Sequence, residues 1–87
     1  MLKQVQKYMM NWSPQESYYN LGRAMHQLGL FPAALHYYKK TLETKPMIEN
    51  EKIFDLSREA AFNLSLIYQG SGSHDIARMY QQKYIVI

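Results

Sequence analysis

Apolar residues recur along most of this chain in steps of three and four, the period of one face of an α-helix. Tyr18, Leu21, Met25 and Leu28 make the first such stripe. Ser13-Pro14-Gln15-Glu16 precedes it in the form of a capping box, with a serine N-cap, proline at the first helical position and Glu16 placed to reach back to the cap N–H. Gly29 ends the helix, because glycine accepts the left-handed conformation a C-cap favours. A second stripe (Ala34, Leu35, Tyr38, Leu42) predicts a helix from Pro32 to Glu43, closed by Lys45-Pro46. A third carries Ala61, Leu64, Ile67 and Tyr68, with Asp55 or Ser57 as its cap and Gly70-Ser71-Gly72-Ser73 as its break. Ser73 is the expected N-cap of a further helix with Asp75 in its first turn and Ile76, Ala77, Tyr80 and Tyr84 at helical spacing. Residues 1–11, with Leu2, Val5, Tyr8 and Met9, predict a helix with no partner ahead of it. Residues 47–54 predict a loop or short turn with Ile48, Ile53 and Phe54 tucked against the helices. Nothing alternates with period two for long enough to make a strand, so the fold class is all-α, about five helices in antiparallel hairpins.

The two halves repeat. Tyr18-x2-Leu21-Gly22-x2-Met25, then Gly29, Ala34-x3-Tyr38 and Pro46, follows the tetratricopeptide pattern of a bulky aromatic, Leu-Gly, an aromatic, Ala-x3-Phe and Pro over about 34 residues. Each exchange, Tyr for Trp, Met for Tyr and Tyr for Phe, roughly keeps the volume. Small Gly22 and Ala34 allow two helices to approach closely while large neighbours fill the gaps beside them. Leu64-Ser65-x2-Tyr68, Gly72 and Ala77 repeat the pattern at a constant offset of 43 residues. The excess over the usual period is taken up by the irregular stretch of residues 47–55. Ala61 stands at the bulky aromatic position and Gln81 at the Phe position, so the second repeat is degenerate, as terminal repeats often are. The expected division is a truncated preceding repeat at 1–12, a repeat at 15–46, an inserted loop at 47–56 and a degenerate terminal repeat at 57–87.

In stacked hairpins the first helix of each repeat lines a concave groove. Here the groove residues, facing away from the partner helix, are Glu16, Tyr19, Arg23, His26 and Gln27 on the first helix and Glu59, Phe62, Leu66 and Gln69 on the third. Tyr19, Phe62 and Leu66 are apolar where solvent is expected. That suits either a partner peptide or packing against a neighbouring repeat, and both readings stay open. Tyr19 and Arg23 occupy the positions where co-chaperone repeats carry the Lys and Asn that clamp a C-terminal carboxylate, so that clamp is absent.

The strings Ser17-Tyr18-Tyr19-Asn20-Leu21-Gly22-Arg23, His26-Gln27-Leu28-Gly29-Leu30, His36-Tyr37-Tyr38 and Asn63-Leu64-Ser65-Leu66-Ile67-Tyr68-Gln69 go further. Over roughly residues 15–80 the chain resembles the C-terminal end of the tetratricopeptide-rich subunit of transcription factor IIIC. The resemblance implies a nuclear scaffold in RNA polymerase III initiation, whose partners are other subunits of that factor or initiation factor IIIB. It also implies that this chain closes a longer protein, with residues 1–11 the second helix of an interrupted hairpin and Ile85-Val86-Ile87 the natural end.

Composition narrows the alternatives. With 87 residues the core is modest. The absence of cysteine excludes a disulfide framework and thiolate metal sites. No basic segment followed by an apolar one opens the chain, and no apolar run approaches the roughly 20 residues of a membrane span. The net charge of +3 is scattered, with Lys39-Lys40 the one basic doublet and Glu49 and Glu51 beyond it. A solvated, mildly basic surface therefore fits better than a nucleic-acid-binding face, which concentrates its cations. Eight tyrosines suit tight helix packing and protein interfaces alike. His26, His36 and His74 fall on three helices without a ligand partner one turn on, so no metal is expected. Gly70-Ser71-Gly72 is an interhelical turn, unlike a phosphate loop, and no nucleophile–base spacing recurs, so neither catalysis nor a cofactor or small-molecule substrate is expected. Asn63-Leu64-Ser65 is a fortuitous mid-helix glycosylation sequon. Met9, Met10, Met25 and Met79 are expected to fill core gaps. The expectation is a protein-interaction scaffold, with a basic helical module for nucleic acid, a purely structural solenoid cap and self-association of the segment as alternatives.

Overall fold

Local signals in the sequence place the helix ends. The structure is a computed structural model that describes residues 13–44 and 55–85. They form four helices, α1 (Pro14–Gln27), α2 (Phe31–Glu43), α3 (Ser57–Gly70) and α4 (His74–Tyr84), with no strand among the described residues. The helix expected over residues 1–11, the 47–54 loop, Pro46, Met9 and Met10 lie outside them.

Ser13 caps α1 as expected, its Oγ accepting the Glu16 N–H at 3.2 Å, with Pro14 opening the helix. At the other end Gly29 takes φ +77°. Its N–H donates to the His26 carbonyl at 3.1 Å, and the next N–H, of Leu30, donates back to Met25 at 2.9 Å. This pair is the Schellman closure. The same pair recurs 43 residues on. Gly72 has φ +88°, with Gly72 N–H on Gln69 at 3.1 Å and Ser73 N–H on Tyr68 at 2.8 Å. The repeat read from side-chain types is thus also a repeat of backbone hydrogen bonds.

One cap differs from expectation, and at another the structure chooses between the two candidates. Ser73 stands at the N-cap of α4 but makes no side-chain cap bond. Its backbone N–H already closes α3, so a turn shared by two helices sets its geometry. At α3 the backbone N-cap is Leu56, and Asp55 does the capping, its Oδ1 accepting the Ser57 N–H at 2.9 Å.

Helices α1 and α2 pack as one antiparallel hairpin, α3 and α4 as the next, and α2 lies against α3. The core forms along this seam from Ala34, Tyr38, Ala60, Leu64 and Ile67, with Met25, Leu35, Leu42, Tyr68 and Tyr80 packed on it. Ala61 and Ala77 are also fully buried. Tyr18 and Leu21 are half-buried. Four positions expected inside are outside: Leu28, Ile76, Met79 and, in part, Tyr84. Leu28 is 69% exposed because the chain turns at the C-cap before the stripe can continue. Ile76 and Met79 sit on a face of α4 against which no other described helix packs.

Candidate functional site

The first hairpin is built around one contact. A Cβ on Gly22 would lie 2.7 Å from Cδ1 and Cε1 of Tyr38, so the glycine lets α1 settle directly onto that ring. Tyr38 is fully buried, and its hydroxyl meets His26 Nδ1 at 3.2 Å. Burial, helped by the neighbouring Tyr19 and opposed by the Arg23 charge, pushes its pKa up to about 12. Tyr19 completes the seam. Its ring lies 5.9 Å from that of Tyr38, and its hydroxyl accepts from Asn63 Nδ2 of α3 at 3.2 Å. Tyr19 and His26, expected to face away from α2, therefore both touch it. The reason is size: Tyr38 fills the hairpin out to its groove edge, where an aromatic or imidazole ring from α1 meets it.

A polar latch joins the hairpins at their other end, and sequence reasoning missed it. Gln15 is 1% exposed. Its Nε2 donates to the Thr44 carbonyl at 3.2 Å, the Thr41 carbonyl at 3.4 Å and Asp55 Oδ1 at 3.0 Å, while its Oε1 accepts the Leu56 N–H at 3.1 Å. One amide so satisfies the last turn of α2 and the first of α3 together. Burial alone would raise the Asp55 pKa, but bonds from Ser57 and Gln15 outweigh it and hold the carboxyl below its ordinary value. The one available signal was Gln15 within the capping box, which reads there as a solvated first-turn residue.

The outer faces of α1 and α3 form a strip of three clefts. One, of about 250 Å³, is lined by Tyr19, Arg58, Glu59, Phe62, Asn63 and Ile85. The next, about 220 Å³, shares Asn63 and adds Arg23, His26, Gln27 and Tyr38. The third, about 440 Å³, shares His26 and runs between Phe31, Pro32 and Leu35 of α2 and Leu66, Ile67 and Tyr68 of α3. Seven of the nine expected groove residues thus line one strip; Glu16 and Gln69 line none of these clefts. Phe62 and Leu66 are 50% and 43% exposed. Asn63, Phe31 and Leu35 join the strip unforeseen, since two of them reach it from α2 or its N-terminus and only the hairpin stacking brings them there. Beyond the strip, Lys39 Nζ lies 5.6 Å from the centre of the Tyr68 ring, and its bond to Tyr68 holds its pKa above the ordinary value despite burial. Tyr68 in turn stacks on Tyr80 at 5.8 Å and Tyr80 on Tyr84 at 6.4 Å. No group of three or more His, Cys, Asp or Glu suited to a metal occurs among the described residues.

Residues 15–46 match the tetratricopeptide repeat family. Most of the chain is similar to human general transcription factor 3C polypeptide 3, at 51% identity over 77 residues, covering 84% of this chain and 9% of that protein. It is also similar to the transcription factor tau subunit sfc4 of Schizosaccharomyces pombe (38% identity, 83% of this chain, 8% of that protein). The transcription factor tau 131 kDa subunit of Saccharomyces cerevisiae gives 41% identity over 84% of this chain and 6% of its own length. Residues 15–46 belong to the tetratricopeptide-repeat family. The chain is a tetratricopeptide module related to these transcription factor subunits, and it spans under a tenth of the length of each. No solved structure matches it.

The tetratricopeptide geometry explains the degenerate half. Where the first repeat pairs Gly22 with Tyr38, the second carries Ser65, fully buried, and Gln81, half-buried. Without a ring at position 81 no glycine is required opposite, and the Ser65 hydroxyl is satisfied by its own helix at the Phe62 carbonyl, 2.7 Å away.

Proposed function

We propose that this chain is a protein-docking segment within a nuclear transcription factor IIIC subunit. Its partner would be another subunit of that factor or initiation factor IIIB, met through Glu16, Tyr19, Arg23, His26, Gln27, Glu59, Phe62, Leu66 and Gln69. The observation carrying this is the half-exposed apolar pair Phe62 and Leu66 on the outer face of α3, one turn apart, in a chain related to transcription factor subunits over most of its length. A buried core does not need them, whereas an interface does. Residues 1–12 would be the second helix of a preceding repeat, 47–56 an insertion between repeats and 57–87 a degenerate terminal repeat. The test is co-purification of the full-length subunit bearing Phe62→Glu and Leu66→Glu, scored for lost companions. Loss of one companion with the subunit still folded is expected; retention of all of them would overturn the reading.

A specific observation supports the cap as a second reading. The side of α2 that receives α3 carries Leu35, Lys39 and Leu42, and the residues 43 positions on are Arg78, Gln82 and Ile85. Two of those three are polar and exposed, a poor seat for another hairpin stacked in the same way. Deleting residues 58–87 separates the readings: a cap predicts lost solubility with every companion retained.

A further inference from the structure

The geometry points to an acidic peptide segment with one bulky apolar anchor as the occupant of the strip's turn-side end, an inference that rests on the docking reading above. The 440 Å³ cleft lies within the range of about 300–1,000 Å³ typical of sites that enclose a ligand. Its walls are largely carbon, from Phe31, Pro32, Leu35, Leu66 and Ile67, and two of them, Phe31 (47%) and Leu66 (43%), are exposed across from each other. Burying them needs an apolar side chain from outside. His26 forms part of both this cleft and the adjoining polar one, so an occupant anchored in the first extends directly onto Arg23, Gln27 and Asn63.

Charge decides the chemistry of that extension. Among the described residues Arg23 is the one charged side chain lining the two clefts, and none of their Asp or Glu side chains lines either. The ion pair formed among the described residues is Lys40–Glu43, at 3.9 Å, so none of their carboxylates is paired with the Arg23 guanidinium. A guanidinium at the edge of an apolar cleft takes a carboxylate bidentately. An Asp or Glu one or two residues from the anchor would meet it. A nucleic-acid backbone suits the site less well, because it asks for several cations in a row and finds one beside an apolar wall. The anchor supplies affinity, and the carboxylate sets the register along the strip.

The intact chain would be used to select from a displayed library of short random peptides. Enriched peptides are expected to carry Leu, Phe or Trp with Asp or Glu within two residues. Arg23→Glu and Leu66→Asp, both at exposed positions and checked for unchanged helicity by circular dichroism, should each weaken a selected peptide about tenfold or more. Replacing that peptide's acid with Lys should restore binding to Arg23→Glu. Peptides that lose binding to Phe62→Glu but are indifferent to both variants would overturn this inference and leave the docking reading standing. No enrichment, displacement by a DNA duplex at these residues, or self-association of the chain abolished by Leu66→Asp would each overturn it as well.

Discussion

Gly22 and Tyr38 act as one unit, because the ring occupies the space a methyl group at position 22 would need. Tyr38 is fully buried and cannot swing aside. Gly22→Ala should therefore lower stability by about 1–3 kcal/mol despite the better helix propensity of alanine, read as a lower midpoint in urea. Combining it with Tyr38→Gln should cost much less than the two single changes added together, since the second repeat already holds the equivalent Ser65–Gln81 pair. Strict additivity would show that the two residues do not share the space. At Asp55 the sign of the pH effect follows from its depressed pKa. The unfolded chain binds a proton there that the folded chain does not, so the contribution is full above the ordinary carboxylate pKa of about 3.9 and is lost as pH falls through the folded value. Asp55→Asn should flatten the acid limb of the melting temperature against pH; an unchanged limb would place the acid sensitivity elsewhere.

Among elements, the two hairpin turns are the most closely matched parts of the repeats. Gly29 and Gly72 both have positive φ with open space around them, so the demand is conformational and nothing crowds a side chain. Alanine at either should cost about 1–2 kcal/mol, the strain of a left-handed residue with a Cβ. The two losses should be similar in size, measured by thermal melts, because the turns carry the same pair of hydrogen bonds. These turns were legible in the sequence: glycine after a helical stripe has one common use. Ser73 was less legible, since a serine before a helix reads as a cap, whereas here its backbone N–H completes the preceding helix.

Across the whole molecule, three polar contacts among the described residues hold the hairpins in register beyond the apolar seam: the Gln15 latch, the Tyr19–Asn63 bond and Lys39 over the Tyr68 ring. Gln15→Ala leaves two carbonyls and the Leu56 N–H short of a partner at a buried site, and should destabilise by about 1–3 kcal/mol. Because it links α1, α2 and α3, it should also broaden the unfolding transition, with the hairpins melting less together. Broadening is the more telling readout: an equal loss of stability with an unchanged slope would make Gln15 a local residue of the first hairpin.

The sequence by itself determined the helices, their turns, the 43-residue repeat and the small residues where helices cross, because each depends on spacing along one segment and on the volume of one side chain. It also carried the resemblance to transcription factor IIIC. The tertiary structure alone decided that Gln15 is a buried latch, that Tyr19 and His26 lean on Tyr38, and that Phe31 and Leu35 share a cleft with Leu66. These depend on how helices pack within and between the two hairpins. Packing brings together residues 12 to 44 positions apart, whose periodicity in their own helices carries no sign of the meeting.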